Sequence, residues 1–97
     1  MADQLDDKFY ERADAHIHLS NEQLDGTITA GKVSASMMFA TARFNAWISA
    51  SGFSSGEAMA DKRAETIDYF VDGYRQMLEA NMDEYIKNFD AYMKSKA

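Results

Sequence analysis

The stretch that most resembles a chemical motif is Gly26-Thr-Ile-Thr-Ala-Gly31-Lys32, which matches the first seven positions of a phosphate-binding loop. Such a loop cradles phosphate with backbone N–H groups and holds magnesium with a hydroxyl at its eighth position. Val33 stands at that position and has no hydroxyl. The segment also follows a helical apolar pattern rather than the strand that aims such a loop, so it reads as a helix–helix turn. His16 and His18 invite a metal reading, but on a helix residues two apart point about 200° away from each other and do not converge on one ion. His16 falls on the apolar face, where a hydrogen-bonded core histidine is expected, and His18 faces water. A di-iron site of the ferritin-like kind would need Glu-x-x-His twice, and the chain has it nowhere. A nucleophilic serine needs a base beside it. Both histidines lie on the first helical stretch and no G-x-S-x-G elbow is present, so no enzyme, cofactor or metal is expected.

Two charged features remain. Arg43 is the lone charge in the helical stretch that follows Lys32 and is expected to be a structural ion-pair partner, of acids such as Asp6 or Glu84. Asp61, Glu65, Asp68, Asp72, Glu79, Asp83 and Asp90 fall within about 40° of one line on a helical wheel. The simple reading is a solvated face that keeps a small protein dispersed. The sharper reading is a docking ridge for a basic partner, steered electrostatically and therefore sensitive to salt.

The element that must position everything else runs from Lys32 to Ser51. At about 100° per residue, Val33, Met37, Ala40, Phe44, Trp47, Ile48 and Ser51 share one face. The opposite side carries Ala35, Phe39, Ala42, Ala46 and Ala50, so no face is properly wetted, and a helix apolar nearly all round is a buried one. The pattern predicts an all-α fold, a small three- to four-helix bundle packed around a buried central helix at about residues 32–51. Trp47→Ala is then expected to cost about 3 to 5 kcal/mol as a core truncation. The same stretch does not read as a membrane span. Its five strongest apolar residues return roughly 1.5 to 3 kcal/mol on the insertion scale, and Arg43 alone costs about 2.5 to 3.5.

Around it, Asp3 is placed to cap a first helix with Asp6 and Asp7 in its first turn. Leu5, Phe9, Ala13, His16, Ser20 and Leu24 recur at helical spacing, and Gly26 is placed as a left-handed C-cap. Thr29 is a candidate cap for the central helix, and Ser54 or Ser55 for the next. From Glu57, the positions Met59, Ile67, Phe70, Tyr74, Met77 and Leu78 draw one stripe. Met82, Tyr85, Ile86, Phe89, Tyr92 and Met93 draw another, rotated by roughly 70°. Asn81-Met82-Asp83-Glu84 resembles a capping box, which predicts a kink or a fresh helix there, with one curved helix to about Lys94 as the alternative.

Composition bounds the rest. The length suits one domain, residues 1–97. Absence of proline fits long helices, and absence of cysteine excludes disulfides and thiolate metal sites. Met1 to Asp25 holds seven acids and two bases, Gly26 to Gly56 two bases and no acid, and Glu57 to Ala97 nine acids and six bases, for a net charge of −6. Neither nucleic acid nor an anionic membrane surface is an expected partner, because both reward clustered cations. The first 24 residues are charged and lack an apolar secretory core, so a cytoplasmic protein is expected.

The strings FYERADAHIHLSNEQ, GKVSASMMFATARFNAW and YRQMLEANMDEYIKNFDAY resemble a family of short proteobacterial proteins catalogued as a domain of unknown function. The resemblance covers almost the whole chain. It implies a small cytoplasmic bacterial protein and supplies no activity, cofactor or site.

The leading expectation is a non-enzymatic helical interaction or assembly protein. One alternative is a regulatory module that docks a basic protein or peptide on the acidic ridge. A weaker one is a small-ligand carrier lined by Trp47, Phe44 and methionines. If the third and fourth stripes lie on one long helix, Met82, Tyr85, Ile86, Phe89, Tyr92 and Met93 are left bare as a patch suited to a homodimer. If a fresh helix at Asn81 folds back, the patch closes on the chain's own core.

Overall fold

The computed structural model describes residues 6–94, and the fold is all-α. Four α-helices, α1 (Phe9–Glu22), α2 (Ala30–Ser51), α3 (Gly56–Asp61) and α4 (Arg63–Lys87), are followed by a π-helical turn at Asp90–Lys94, with no strand among the described residues. The chain divides into two compact units, Met1–Ser54 and Ser55–Ala97.

In the first unit, α1 opens at Phe9; Asp3 lies outside the described residues. Its N-terminus is held by Asp6, whose carboxylate accepts from the Lys8 N–H at 2.8 Å and from the Arg12 guanidinium at 3.0 and 3.3 Å. The Phe9 N–H adds a bond to the Asp6 carbonyl at 3.1 Å. At the other end, the left-handed cap expected at Gly26 is not formed, since no glycine has a positive φ. The helix has already closed at Gln23, whose N–H donates to the carbonyls of Leu19 and Ser20 at 3.2 and 3.1 Å. One carboxylate oxygen of Asp25 then organises the turn, accepting from the Thr27 N–H at 2.7 Å, the Thr27 hydroxyl at 2.8 Å and the Ile28 N–H at 2.9 Å. A short acidic side chain that satisfies three donors replaces the left-handed glycine as the device that turns the chain. Thr29 is extended, and its hydroxyl accepts from the Lys32 N–H at 3.3 Å to cap α2, as its position before the helix predicts.

The bounds of α2 agree with the sequence pattern, but the expected burial of the central helix does not. Of the 22 residues of α2, Val33 is buried, Asn45 and Ser49 are half-buried, and Met37, Phe44, Trp47 and Ile48 are exposed. His16, expected on a buried face of α1, is exposed too. α1 touches α2, yet within this unit it leaves most of the stripe uncovered. Periodicity identifies the side chains that seek cover; it does not identify the molecule that supplies it.

In the second unit, Ser55 is the cap, extended and accepting from the Ala58 N–H at 3.0 Å. α3 stops after six residues at Lys62, whose φ of −107° and ψ of 10° interrupt the helix, and α4 then runs for 25 residues. The fresh start expected at Asn81 is not there. Asn81 lies inside α4, and its side-chain amide donates to the Met77 carbonyl at 2.8 Å. This bond one turn back lets an asparagine remain in a helix interior rather than cap a new one. The break comes instead at Asn88, with φ of −110° and ψ of 27°, where backbone and side-chain N–H groups both return to the Glu84 carbonyl, at 3.0 and 3.1 Å.

Candidate functional site

The acidic row is spread over three elements. Asp61 closes α3, Glu65, Asp68, Asp72, Glu79 and Asp83 lie on α4, and Asp90 opens the π-helical turn, all of them exposed. Glu65 meets Lys62 at 3.5 Å and Asp90 meets Lys94 at 3.4 Å, both in open water. Exposed pairs of this kind contribute little. The breaks at Lys62 and Asn88 separate the two ends of the row from its middle. The part held rigidly on one helix is therefore Glu65 to Asp83, about 27 Å of α4.

The six-residue apolar patch is exposed along its whole length. Met82, Tyr85 and Ile86 end α4, Phe89 follows the break, and Tyr92 and Met93 lie in the π-helical turn. Two contacts hold the parts together across Asn88. The Tyr85 and Tyr92 rings meet edge to face with centroids 4.9 Å apart, and the Tyr92 hydroxyl donates to Glu84 Oε2 at 2.6 Å. The hydrogen bond to the Glu84 carboxylate, helped by its negative charge, pushes the Tyr92 phenol above its usual range. This pairing was not visible in the sequence, because residues eight apart are about 12 Å apart along an ideal helix. The break at Asn88 and the wider π turn bring them within reach.

Phe44 and Trp47, placed on one face of α2 by the sequence, form an exposed stacked pair that the sequence did not reveal. The Phe44 and Trp47 rings stack with centroids 5.8 Å apart and an interplanar angle of 29°, while 60% and 65% of the two residues face solvent. Stacked rings held in water are a preorganised contact surface of the type that anchors interfaces.

The remaining candidates do not assemble into a site. Arg43 is exposed and makes no ion pair among the described residues. Of its two expected partners, Asp6 is taken by Arg12 at 3.0 Å and Glu84 by Tyr92. The Arg12 guanidinium and the Lys8 N–H hold Asp6 below the usual carboxylate range, and the Thr27 and Ile28 donors do the same for Asp25. His18 Nε2 lies 3.2 Å from Glu22 one turn on, and the His16 carbonyl accepts from the Ser20 hydroxyl at 3.0 Å. Among the described residues no three His, Asp or Glu side chains are grouped to hold a metal, and no helix is long and apolar enough to cross a membrane. Gly26 to Lys32 spans the Asp25 turn and the first residues of α2.

The family model described as "Protein of unknown function (DUF3144)" matches residues 9–86. The chain is also similar to a solved structure, described as the NMR structure of the protein NB7890A from Shewanella sp., with 44% identity and a TM-score of 0.78 over 95% of this chain and 97% of that one. No curated protein matches.

Proposed function

The chain belongs to this DUF3144 family of proteins of unknown function, and from that premise we propose that it is a non-enzymatic helical interaction or assembly protein of the cytoplasm, whose apolar faces exist to be covered by a partner. One observation carries this reading: Val33, 7% exposed, is the buried hydrophobic residue of the described chain, while Trp47, Phe44, Ile86 and many other large apolar side chains stand in solvent. Monomeric proteins rarely expose contiguous apolar patches beyond a few hundred Å² unless the patch is an interface. Trp47 is the single tryptophan, so it reports on the face directly. Quenching by a neutral solute should be near complete in dilute protein and should fall when the partner is bound. A Trp47 that is shielded in dilute, monomeric protein would refute the reading.

A second reading is favoured by the α4 acids. Asp68, Asp72, Glu79 and Asp83 carry no ion pair among the described residues and lie on one helix, which suits a basic protein or peptide. Such a complex should form rapidly at low ionic strength and weaken steeply with salt. Capture that is unchanged in high salt would leave only apolar contact.

A further inference from the structure

We propose that the hydrogen bond from the Tyr92 hydroxyl to Glu84 is a clasp. It keeps the end of the chain wound in the π-helical turn, and its release lets α4 run on as a regular helix to about Lys94. The clasp thereby sets the shape of the Met82–Met93 patch, whether or not a partner covers that patch.

The first ground is that residue type does not account for the break at Asn88. From Tyr74 to Lys94 the chain has neither glycine nor proline, the residues least favourable inside a helix. The asparagine does not account for it either, because α4 contains its own control. Asn81 donates its side-chain amide to the carbonyl four residues back at 2.8 Å, and the helix passes through it unbroken. Asn88 makes the same bond at 3.1 Å, and the helix stops. Four residues before and after Asn81 stand Met77 and Tyr85; at the same distances from Asn88 stand Glu84 and Tyr92. A tyrosine follows each asparagine, and the second one has a carboxylate to reach.

The second ground is geometry. Residues seven and eight apart are separated by about 10.5 and 12 Å along an ideal helix. Across Asn88, however, the Tyr85 and Tyr92 ring centroids are 4.9 Å apart and the Tyr92 hydroxyl lies 2.6 Å from Glu84 Oε2. These contacts belong to the wound form. A hydroxyl this close to a carboxylate makes a charge-assisted bond, stronger than a neutral one. Both residues are exposed, so water competes for the same groups and the wound form is favoured without being locked.

The third ground is the pattern of the patch itself. Its six residues recur at the spacing that places them on one face of a continuous helix, yet the chain is broken in their midst at Asn88. Release of the clasp would lay the patch out as one stripe, whereas closure turns the Tyr85 and Tyr92 rings toward each other. The chain has the pattern of the straight form and the contacts of the wound one, so a single bond can shift the population between them.

The test is solution NMR of the full chain, reading carbon-13 secondary shifts over residues 84–94 and ring-to-ring Overhauser contacts between residues 85 and 92. The expected result for the unmodified chain is a drop in helical shift at Asn88 together with Tyr85–Tyr92 ring contacts. Tyr92→Phe keeps the ring and removes the donor. It should lower the ratio of wound to straight form by about 5-fold or more, seen as helical shifts that continue through residue 88 and weaker ring contacts. Glu84→Gln, which keeps an acceptor without its charge, should act in the same direction by less. Three results would overturn the clasp: an uninterrupted helix at Asn88 in the unmodified chain, a break that Tyr92→Phe leaves in place, or a Tyr92→Phe chain that frays to coil beyond Lys87. A break that persists in Tyr92→Phe and disappears in Asn88→Ala would assign it to the asparagine instead.

Discussion

Trp47→Ala separates what this residue contributes inside one chain from what it contributes to an assembly. Trp47 is 65% exposed and stacks on Phe44 at 5.8 Å. A large aromatic side chain has up to about 250 Å² to bury, so roughly 90 Å² is covered within the chain and about 160 Å² is left for a partner. At about 25 cal/mol per Å², the covered part is worth about 2 kcal/mol and the uncovered part about 4 kcal/mol per chain once a partner seals it. A buried core tryptophan would instead lose its whole contribution in a unimolecular step. Urea denaturation at two protein concentrations well apart distinguishes the cases. The variant should lose about 2 kcal/mol in the dilute sample and markedly more in the concentrated one, because the second component appears only in assembled protein. Equal losses of about 2 kcal/mol at both concentrations would show that nothing covers Trp47. A loss of the full core value, about 3 to 5 kcal/mol at both, would restore the buried central helix that periodicity suggests and refute the exposed orientation.

Three further outcomes follow from the local geometry. Asn81→Ala should be neutral or stabilise by up to about 0.7 kcal/mol, since alanine has the higher helix propensity. Loss of a true N-cap would instead cost about 1 kcal/mol, so chemical denaturation tells an interior asparagine from a cap. Gly26→Ala should be tolerated, with a gain of about 0.4 to 1 kcal/mol from the stiffer unfolded chain. Its φ is not positive and an added Cβ meets nothing within 4 Å, so a clear loss of stability in thermal melts would contradict the Asp25-centred turn. The Tyr92 phenol is held above its ordinary value by Glu84. Its contribution is therefore fully present below the unfolded value of 10.0 and is lost as pH rises through the folded value. Ultraviolet titration of tyrosinate should show one late-ionising tyrosine that returns to the ordinary range in Glu84→Gln; an unchanged titration would rule out the contact.

The sequence was most informative about local structure. The all-α fold, the caps Thr29 and Ser55, and the limits of α2 are short-range features, readable because a cap is decided within three residues of the helix it starts. It misled at Gly26 and Asn81, where two residue types with several uses were each assigned the commoner one. Glycine ends many helices in the left-handed region, but Asp25 had already satisfied the turn's donors. Asparagine caps helices, but Asn81 could bond the Met77 carbonyl a turn behind it. In both places a nearby hydrogen bond decided the outcome, and residue type alone does not carry that competition.

The misplaced burial of α2 has a different origin. Hydrophobic periodicity measures a side chain's preference for leaving water, and that preference is the same whether the cover is an intrachain helix or another molecule. A chain of this length with large apolar residues on every helix reads as a core that ought to close on itself. Phe44, Trp47, Tyr85 and Ile86 stand in water, and the same pattern is satisfied by either kind of cover. Composition bears on the choice through the distribution of charge. Acids are missing from Gly26 to Gly56, which leaves the Phe44–Trp47 face free of like-charge repulsion, whereas at the end of α4 Glu84 sits against Tyr92. A chain selected only to stay monomeric would be expected to place charges at the edges of these faces, as sheet-edge lysines do in proteins that avoid association. Along α2 the sole charges are Lys32 and Arg43, both about 100° or more from Phe44 around the helix, so the Phe44–Trp47 face has no such guard.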